Sequence, residues 1–269
     1  MDVTLALQAI LLGIIEGLTE FLPVSSTGHL ILAGDLLGFR SAAASSVFEV
    51  VIQLGAILAV VAGFFPRLAR VAFTLHEDPG SRRFAVAVLL AFLPSAVVGA
   101  FAHDFIKTVL FSPWVVSVAL IAGGVVLIVI EKYLPPPRVF EVEAFSPALA
   151  LKIGLFQVLS MIPGVSRAGA TIIGALTLGV ERRTAAEFSF FLAIPTMLGA
   201  STLDLYKSRE ALTMNDAGMI AVGFVAAFIS AMVVVRTFVG FVGRHGFAPF
   251  GWYRIAVGSL MLALLATRG

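Results

Sequence analysis

Long stretches of apolar residues alternate with short polar connections along most of this chain. Six stretches have about the 20 residues that an α-helix needs to cross the hydrocarbon core of a bilayer. We predict a membrane-spanning helix for each of them: residues 44–64, 84–102, 114–133, 184–203, 217–239 and 250–267.

Two further regions, 3–38 and 147–180, are apolar but interrupted in the middle by proline, glycine and serine. The first interruption begins at Pro23 and the second at Pro163-Gly164. Non-helical backbone is tolerated at membrane depth only where protein or a wet cavity satisfies its polar groups. We therefore predict two re-entrant helical hairpins, each of which enters and leaves the membrane on one side.

Composition supports a membrane protein over the other classes. Of the 269 residues, 59% are apolar and 13% are charged, and mean hydropathy is +1.04. This excludes an ordinary soluble enzyme, a disordered chain and a nucleic-acid-binding module. The net charge of +2 is no evidence for a polyanionic partner, and the lack of cysteine excludes disulfides and thiolate metal sites. We expect an all-α integral membrane protein with a single membrane domain, residues 1–269.

The distribution of lysine and arginine predicts the orientation. With six spans and two hairpins, twelve of these residues, Arg254 among them, fall in loops on one side and five on the other, and only Arg167 stays inside the membrane. The richer side should be cytoplasmic. Both termini then lie outside, the first hairpin enters from outside, and the second enters from the cytoplasm.

The two interrupted regions look like copies in an internal repeat. Each half, 1–134 and 145–269, holds one hairpin and three spans, and an odd number of spans forces the halves into opposite orientations. Such inverted repeats place a site near the midplane, where the broken helices meet. The matching positions lie 140 residues apart: Pro23 and Pro163, Ser26 and Ser166, and Phe48 and Phe188.

Two carboxylates precede the first interruption. Glu16 and Glu20 are spaced i, i+4 and share one face of a helix in an apolar setting. They form either a solvated helix end or a site for a cation. Hard oxygen ligands suit Mg²⁺ or Ca²⁺, and such ions also bridge phosphate oxygens.

Three hydroxyl side chains and a histidine follow Pro23, where the first interruption begins. Ser25, Ser26 and Thr27 can cap a helix start or bind an anion there. His29 lies three residues after Ser26, so the two side chains can meet on one turn. The histidine is either a structural hydrogen-bonding group or a base or nucleophile.

The second interruption supplies positive charge. Ser166 and the nearby backbone amides can bind an anion. Arg167 can hold a phosphate in a two-pronged way, and it can also serve as the counter-charge of Glu16 or Glu20. Thr171 lies one turn further and can cap the helix or bind phosphate.

The segments EGLTEFLPVSSTGHL and PGVSRAGAT resemble the two motifs of the bacterial undecaprenyl-diphosphate phosphatase family, also called the bacitracin-resistance protein family. Ala168 departs from the family pattern, which usually has a second serine after the arginine. The resemblance implies removal of the terminal phosphate from a C55 polyprenyl diphosphate, which recycles the lipid carrier for cell-wall synthesis. It also implies dependence on a divalent cation and action at the outer leaflet of the bacterial inner membrane.

Carried over residue by residue, the resemblance makes Glu16 and Glu20 the acidic pair, Ser26 and His29 the serine and histidine, and Arg167 the essential arginine. We expect Glu16 and Glu20 to hold the cation. We expect Ser26 to act as nucleophile with His29 as base, while attack by His29 or by a metal-bound water stays open. The phosphate-binding residues we expect are Ser25, Thr27, Ser166, Arg167 and Thr171.

A secondary transporter that flips the lipid carrier is the rival function, because inverted repeats and intramembrane carboxylates are also typical of transporters. The partners we expect are the polyprenyl diphosphate and membrane lipids, with no nucleic acid. The sequence also leaves open whether the protein forms a homodimer.

Overall fold

The computed structural model describes residues 3–39, 42–105, 110, 112–207 and 217–268. Apart from one isolated bridge between Val139 and Val180, the regular structure described there is helical. The α-helices of this part of the chain are α1 Val3–Thr19, α2 Ser26–Leu37, α3 Ala42–Gly63, α4 Phe65–Thr74, α5 Pro79–Phe105, α6 Pro113–Lys132, α7 Pro147–Val158, α8 Arg167–Thr177, α9 Arg182–Lys207, α10 Ala217–His245 and α11 Ala248–Arg268.

Five of these helices, α5, α6, α9, α10 and α11, are long and apolar enough to cross a membrane. A sixth candidate consists of Val47–Gly63 and Phe65–Thr74, between which the chain bends by 73°. No sequence pattern predicted α4, which begins at this bend with Pro66 in its first turn, a position that proline favours. The all-helical, multi-pass class is confirmed, while the count of six spans and the re-entrant course of the hairpins stay predictions.

Both interrupted regions form a helix, a break and a second helix, as the sequence predicts. The second helices begin at Ser26 and at Arg167, which lie 141 residues apart. Ser25 and Ser166, the residues just before them, both have positive φ, 67° and 77°. By backbone conformation, Ser166 corresponds to Ser25 and not to Ser26, with which the sequence pattern paired it. The second break has one more residue between its proline and its positive-φ serine.

Tight packing of α1 on α10 places the acidic pair in the interior. Gly17, between Glu16 and Glu20, has no room for a side chain because the Ala227 carbonyl and the Ser230 hydroxyl of α10 lie against it. Glycine lets two helices approach closely in this way. The acidic face of α1 is consequently enclosed by protein.

An aromatic core fixes the first break against α9. Phe21 is fully buried and meets Phe190 edge to face, with ring centroids 5.5 Å apart. Phe188 and Phe191 of α9 are also buried. Edge-to-face contacts fix ring geometry as well as removing apolar area from lipid or water, so the chain that follows Glu20 is held in one place.

Candidate active site

The first break brings a carboxylate and a hydroxyl together. Glu20 follows α1, and its backbone N–H still donates to the carbonyl of Glu16, at 2.9 Å. Ser26 is the first residue of α2, and its hydroxyl donates to Oε2 of Glu20 in a short hydrogen bond. Both side chains are buried. The break thus folds the chain back so that residues six positions apart touch.

The second break brings a guanidinium to the same carboxylate. Arg167 opens α8, and its Nη2 lies 3.4 Å from Oε1 of Glu20. Its Nη1 donates to the backbone carbonyl of Ser189 in α9, at 2.6 Å, and its Cζ lies 5.7 Å from the centre of the Phe21 ring. Glu20 therefore connects Ser26 with Arg167, and the two breaks meet as the sequence predicts.

Several polar groups of this site have no partner. Of the five buried side-chain nitrogen or oxygen atoms without a hydrogen bond in the described part of the chain, three lie here: both carboxylate oxygens of Glu16 and Nε of Arg167. Glu16 is completely buried, and its carboxyl group interacts electrostatically with Glu20, Glu49 and Arg167. No described residue donates a hydrogen bond to either of its oxygens. Leaving such groups unpaired is expensive, so these atoms are candidates for contacts with a charged ligand.

The acidic pair fits a divalent cation in part. The free oxygens of Glu16 and the adjacent carboxylate of Glu20 are hard donors of the kind that Mg²⁺ and Ca²⁺ prefer. Within the described residues, however, no group of three or more histidine, aspartate, glutamate or cysteine side chains could hold a metal ion. Mg²⁺ is commonly held by one or two carboxylates together with substrate phosphates and water, so this donor set suits an ion that arrives with a phosphate ligand.

His29 is hydrogen-bonded at both ring nitrogens. Its Nδ1 pairs with the backbone carbonyl of Ser25, and its Nε2 pairs with the hydroxyl of Tyr253 in α11, both at 2.8 Å. The described hydrogen bond of the Ser26 hydroxyl goes to Glu20 instead. The role of His29 as base for Ser26 stays a prediction, and Glu20 is the potential base that touches Ser26.

Thr171 lies behind the arginine, completely buried. Its hydroxyl faces the backbone carbonyl of Arg167 at 3.0 Å and Oε1 of Gln157 at 3.3 Å. Gln157 of α7 donates in turn to Ser95 and Thr196, the residues that follow prolines 94 and 195 within α5 and α9. This network supports the first turn of α8. The predicted phosphate contact of Thr171 stays a prediction.

The remaining predicted hydroxyls lie at the starts of the two helices. The Ser166 side chain caps α8 by accepting from the Gly169 amide at 3.1 Å, and its own hydroxyl hydrogen can still be donated. Ser25 makes no such side-chain cap at α2. Thr27 lines a cavity of about 490 Å³ between α5, α9 and the breaks, together with Pro163, Ser160 and Asp204. The first turn of α2 and the second break therefore border one cavity.

The prediction that Arg254 lies in a cytoplasmic loop is wrong. It lies within α11 and is 1% exposed, so Arg167 is not the only arginine in the interior. All five of its N–H groups reach backbone carbonyls: Leu120, Ala119, Pro23, Gly164 and Val165, at 2.8 to 3.2 Å. A charge count along the sequence cannot separate a loop arginine from one whose donors are all satisfied internally. Arg254 joins both breaks to α6.

Three residues of this neighbourhood were missed: Gln157, Tyr253 and Arg254. Each is a polar side chain inside an apolar stretch, and this pattern is the sequence feature that could have identified it as important. A polar residue in such a stretch is costly unless it has a partner. For Gln157 and Tyr253 the signal was too weak to identify a partner, because their partners lie 14 to 224 residues away in sequence.

Fold and site together define a multi-pass helical membrane protein whose buried centre combines carboxylates, a hydroxyl and a guanidinium. This is the class of membrane protein that can bind a phosphate-bearing ligand in the bilayer. The chain matches the family model described as Bacitracin resistance protein BacA over residues 9–260, and it belongs to that family.

Similar proteins cover the chain almost completely. Undecaprenyl-diphosphatase 2 of Paramagnetospirillum magneticum is 58% identical over 262 residues, which cover 97% of this chain and 100% of that protein. Undecaprenyl-diphosphatase 1 of Agrobacterium fabrum is 56% identical, with 98% of each chain covered. Undecaprenyl-diphosphatase of Parvibaculum lavamentivorans is 57% identical, with 95% of each covered. The family to which the sequence motifs pointed is thereby confirmed.

Proposed function

We propose that this protein hydrolyses undecaprenyl diphosphate to undecaprenyl phosphate and inorganic phosphate, and so recycles the lipid carrier for cell-wall synthesis. The names of its relatives and its family support this reaction. The observation that carries it is the juxtaposition of Glu20, Ser26 and Arg167 beside the unpaired atoms of Glu16 and Arg167. A diphosphate accompanied by a cation satisfies all of these groups.

Arg167 binds the terminal phosphate in this proposal. Its free Nε and the weakly engaged Nη2 are donors on one edge of the guanidinium, the edge that pairs with two oxygens of a phosphate. Its Nη1 is anchored on Ser189, which fixes the direction of that edge. Phosphoryl transfer depends mainly on such positioning and charge stabilisation.

Ser26 is the nucleophile, and Glu20 is its base. The Ser26 hydroxyl proton passes to Oε2 of Glu20, Oγ forms a bond with the terminal phosphorus, and the bond from phosphorus to the bridging oxygen breaks. Undecaprenyl phosphate leaves with the bonding electron pair on that oxygen. Water then cleaves the phosphoserine: its oxygen forms a bond with phosphorus, the bond from phosphorus to Ser26 Oγ breaks, and Oγ takes up the proton held by Glu20. Inorganic phosphate leaves with both hydrogens of the water. Attack by His29 or by water are the alternatives that the sequence left open.

Glu16 and Glu20 would hold the divalent cation, as the sequence analysis expects. Such an ion, when bound, offsets the charge of the diphosphate and of the carboxylates around it. The buried, unpaired oxygens of Glu16 support this assignment.

The diphosphate reaches the site from the outer side of the bacterial inner membrane. The cavity beside Thr27 and Pro163 extends along α5 to Ala100 and along α9 to Asp204, close to where both helices end. The orientation predicted from the charge distribution puts these ends of α5 and α9 on the side with fewer lysine and arginine residues. This supports an outward opening. The prenyl chain then lies in lipid or between the helices.

We also infer that the two halves form the predicted inverted repeat. In the proposed repeat, the counterparts of α1, α3, α5 and α6 are α7, α9, α10 and α11. The contact of α1 with α10 then corresponds to that of α7 with α5, and the contact of α3 with α10 corresponds to that of α9 with α5. The α3–α9 and α6–α11 contacts map onto themselves. The positive-φ serines at both breaks support the same relation.

The direct test is release of inorganic phosphate from undecaprenyl diphosphate by purified protein in detergent. We expect release by the wild type, its loss with a chelator and its return with Mg²⁺ or Ca²⁺. A detergent micelle has no second compartment, so a pure lipid transporter would release no phosphate, and that result would overturn the proposal.

The nucleophile is tested by trapping the enzyme with substrate that carries a labelled terminal phosphate. Phosphoserine survives acid and is cleaved by alkali, whereas phosphohistidine is lost in acid. We expect an acid-stable label in the wild type that Ser26→Ala abolishes. An acid-labile label that requires His29, or turnover without any label in Ser26→Ala, would assign attack to His29 or to water.

A further inference from the structure

His29 and Tyr253 form a pair that the mechanism above does not use. The two rings are almost parallel, with an interplanar angle of 2° and centroids 5.4 Å apart. The Tyr253 hydroxyl lies 2.8 Å from Nε2 of His29. Stacking and the hydrogen bond together fix both the plane of the imidazole and its rotation within that plane.

The hydrogen-bond partners determine which nitrogen of His29 carries the proton. The backbone carbonyl of Ser25 can only accept, so Nδ1 of His29 is the donor in that pair. In the neutral imidazole Nε2 then has a lone pair and accepts from the Tyr253 hydroxyl. Tyr253 thus stabilises the tautomer that lets His29 donate to Ser25.

Ser25 is the residue that needs this support. Its φ of 67° lies in the left-handed region, which is strained for a residue with a side chain and persists only where the surroundings enforce it. Ser25 also lacks the side-chain cap that Ser166 makes at the other break. The next residue is Ser26, whose hydroxyl must face Glu20.

We propose that Tyr253 is a positioning residue: through its hydrogen bond to His29 it holds the Ser25 carbonyl, and thereby keeps Ser26 against Glu20. This inference rests on the proposed function. Tyr253 touches neither Ser26 nor Glu20 in any described hydrogen bond, so it acts through His29.

The test combines Tyr253→Phe with His29→Asn, alone and together, in the phosphate-release assay. Tyr253→Phe keeps the stacked ring and removes only the hydroxyl. We expect kcat to fall by roughly 3- to 10-fold, the range for one lost hydrogen bond, and KM to stay within about twofold because Arg167 is untouched. Tyr133→Phe is the matched control: Tyr133 is 72% exposed at the end of α6, and its change should leave kcat within about twofold.

The double variant separates positioning from general destabilisation. Asparagine at position 29 can still donate to the Ser25 carbonyl but has no Nε2. If Tyr253 acts through His29, Tyr253→Phe has no further effect in the His29→Asn background. Effects that multiply in the double variant, or a Tyr253→Phe enzyme with wild-type kcat, would overturn the proposal.

A spectroscopic readout independent of turnover completes the test. In protein with ¹⁵N-labelled histidine, the His29 signals are assigned by their loss in His29→Asn. We expect a proton-free, hydrogen-bonded Nε2 in the wild type and a shifted Nε2 signal in Tyr253→Phe. An unchanged signal contradicts the proposal. If the wild type releases no phosphate at all, the proposed function fails, and the nitrogen signal still decides whether Tyr253 fixes the tautomer.

Discussion

The two breaks share a backbone course but differ in how well their polar groups are satisfied. At the second break Ser166 caps α8, and the nearby Gln157 uses both ends of its amide on three hydroxyls. At the first break Ser25 makes no side-chain cap, and Glu16 has two buried oxygens without partners. The serine of the second break is therefore tied into its own helix start and that of the first break is not, while unpaired atoms remain on both sides, because Nε of Arg167 also lacks a partner.

The first residues of α2 and α8 also differ between the two breaks. At corresponding positions, α2 begins with the hydroxyl of Ser26 and α8 begins with the guanidinium of Arg167. The two helix starts therefore bring a hydroxyl and a guanidinium to one carboxylate, and the nucleophilic role of Ser26 stays a proposal. Glu20 touches both.

The largest expected effect comes from removing the charge of the second break. Arg167→Ala should lower kcat/KM for undecaprenyl diphosphate by about 10²–10³, the usual loss when one preorganised electrostatic partner is removed. The measurement is phosphate release by protein whose folding is checked by size-exclusion chromatography. Arg244→Ala, at an exposed arginine near the end of α10, is the control and should change little. Near-normal turnover by folded Arg167→Ala would refute the phosphate-binding role.

The second-largest effect is expected from changing Glu16, the unpaired carboxylate of α1. Glu16→Gln should raise the concentration of Mg²⁺ needed for half-maximal activity by about 10- to 100-fold, as loss of a supporting metal contact commonly does. Titration of activity with Mg²⁺ after chelation measures it. Glu143→Gln provides the comparison: the Glu143 carboxylate pairs with Arg67 and is not part of the site, so its change should leave the metal requirement unchanged. An unchanged Mg²⁺ requirement in Glu16→Gln would contradict a cation at Glu16.

A smaller effect is expected from changing Arg254, which is hydrogen-bonded to both breaks. Arg254→Lys retains the charge but has three N–H donors for five carbonyls, so at least two of these carbonyls lose their hydrogen bond from residue 254. Each lost hydrogen bond costs about 0.5–1.5 kcal/mol. We expect a thermal midpoint several degrees lower and activity reduced by roughly tenfold. Wild-type stability and activity in this variant would show that the breaks are held by other contacts.

The smallest effect compares the two strained serines directly. Glycine adopts positive φ without strain, so Ser25→Gly should leave the free energy of unfolding unchanged or raise it by up to about 1 kcal/mol. Ser166→Gly relieves the same strain but loses the hydrogen bond to Gly169, so its gain should be smaller by a few tenths of a kcal/mol. Thermal unfolding of both variants in one detergent measures the difference. A larger gain for Ser166→Gly would contradict the assigned caps.

The sequence by itself determined the membrane class, the positions of both breaks and the residues that meet at the centre. Hydropathy over a window of about 20 residues reports whether a segment prefers lipid or protein to water. Proline and glycine within such a segment mark where the helix stops, and glutamate or arginine kept there marks function. These signals are local, which is why Glu20, Ser26 and Arg167 could be identified from their own neighbourhoods.

Only the tertiary structure decided which atoms pair. Ser26 donates to Glu20 although His29 is nearer in sequence, because the break reverses the chain between residues 20 and 26. Arg254 binds the Pro23 carbonyl across 231 residues, and Tyr253 binds His29 across 224. A local pattern gives the cost of burying a polar side chain but not the distant partner that offsets it, and that partner is fixed only when all the helices have packed.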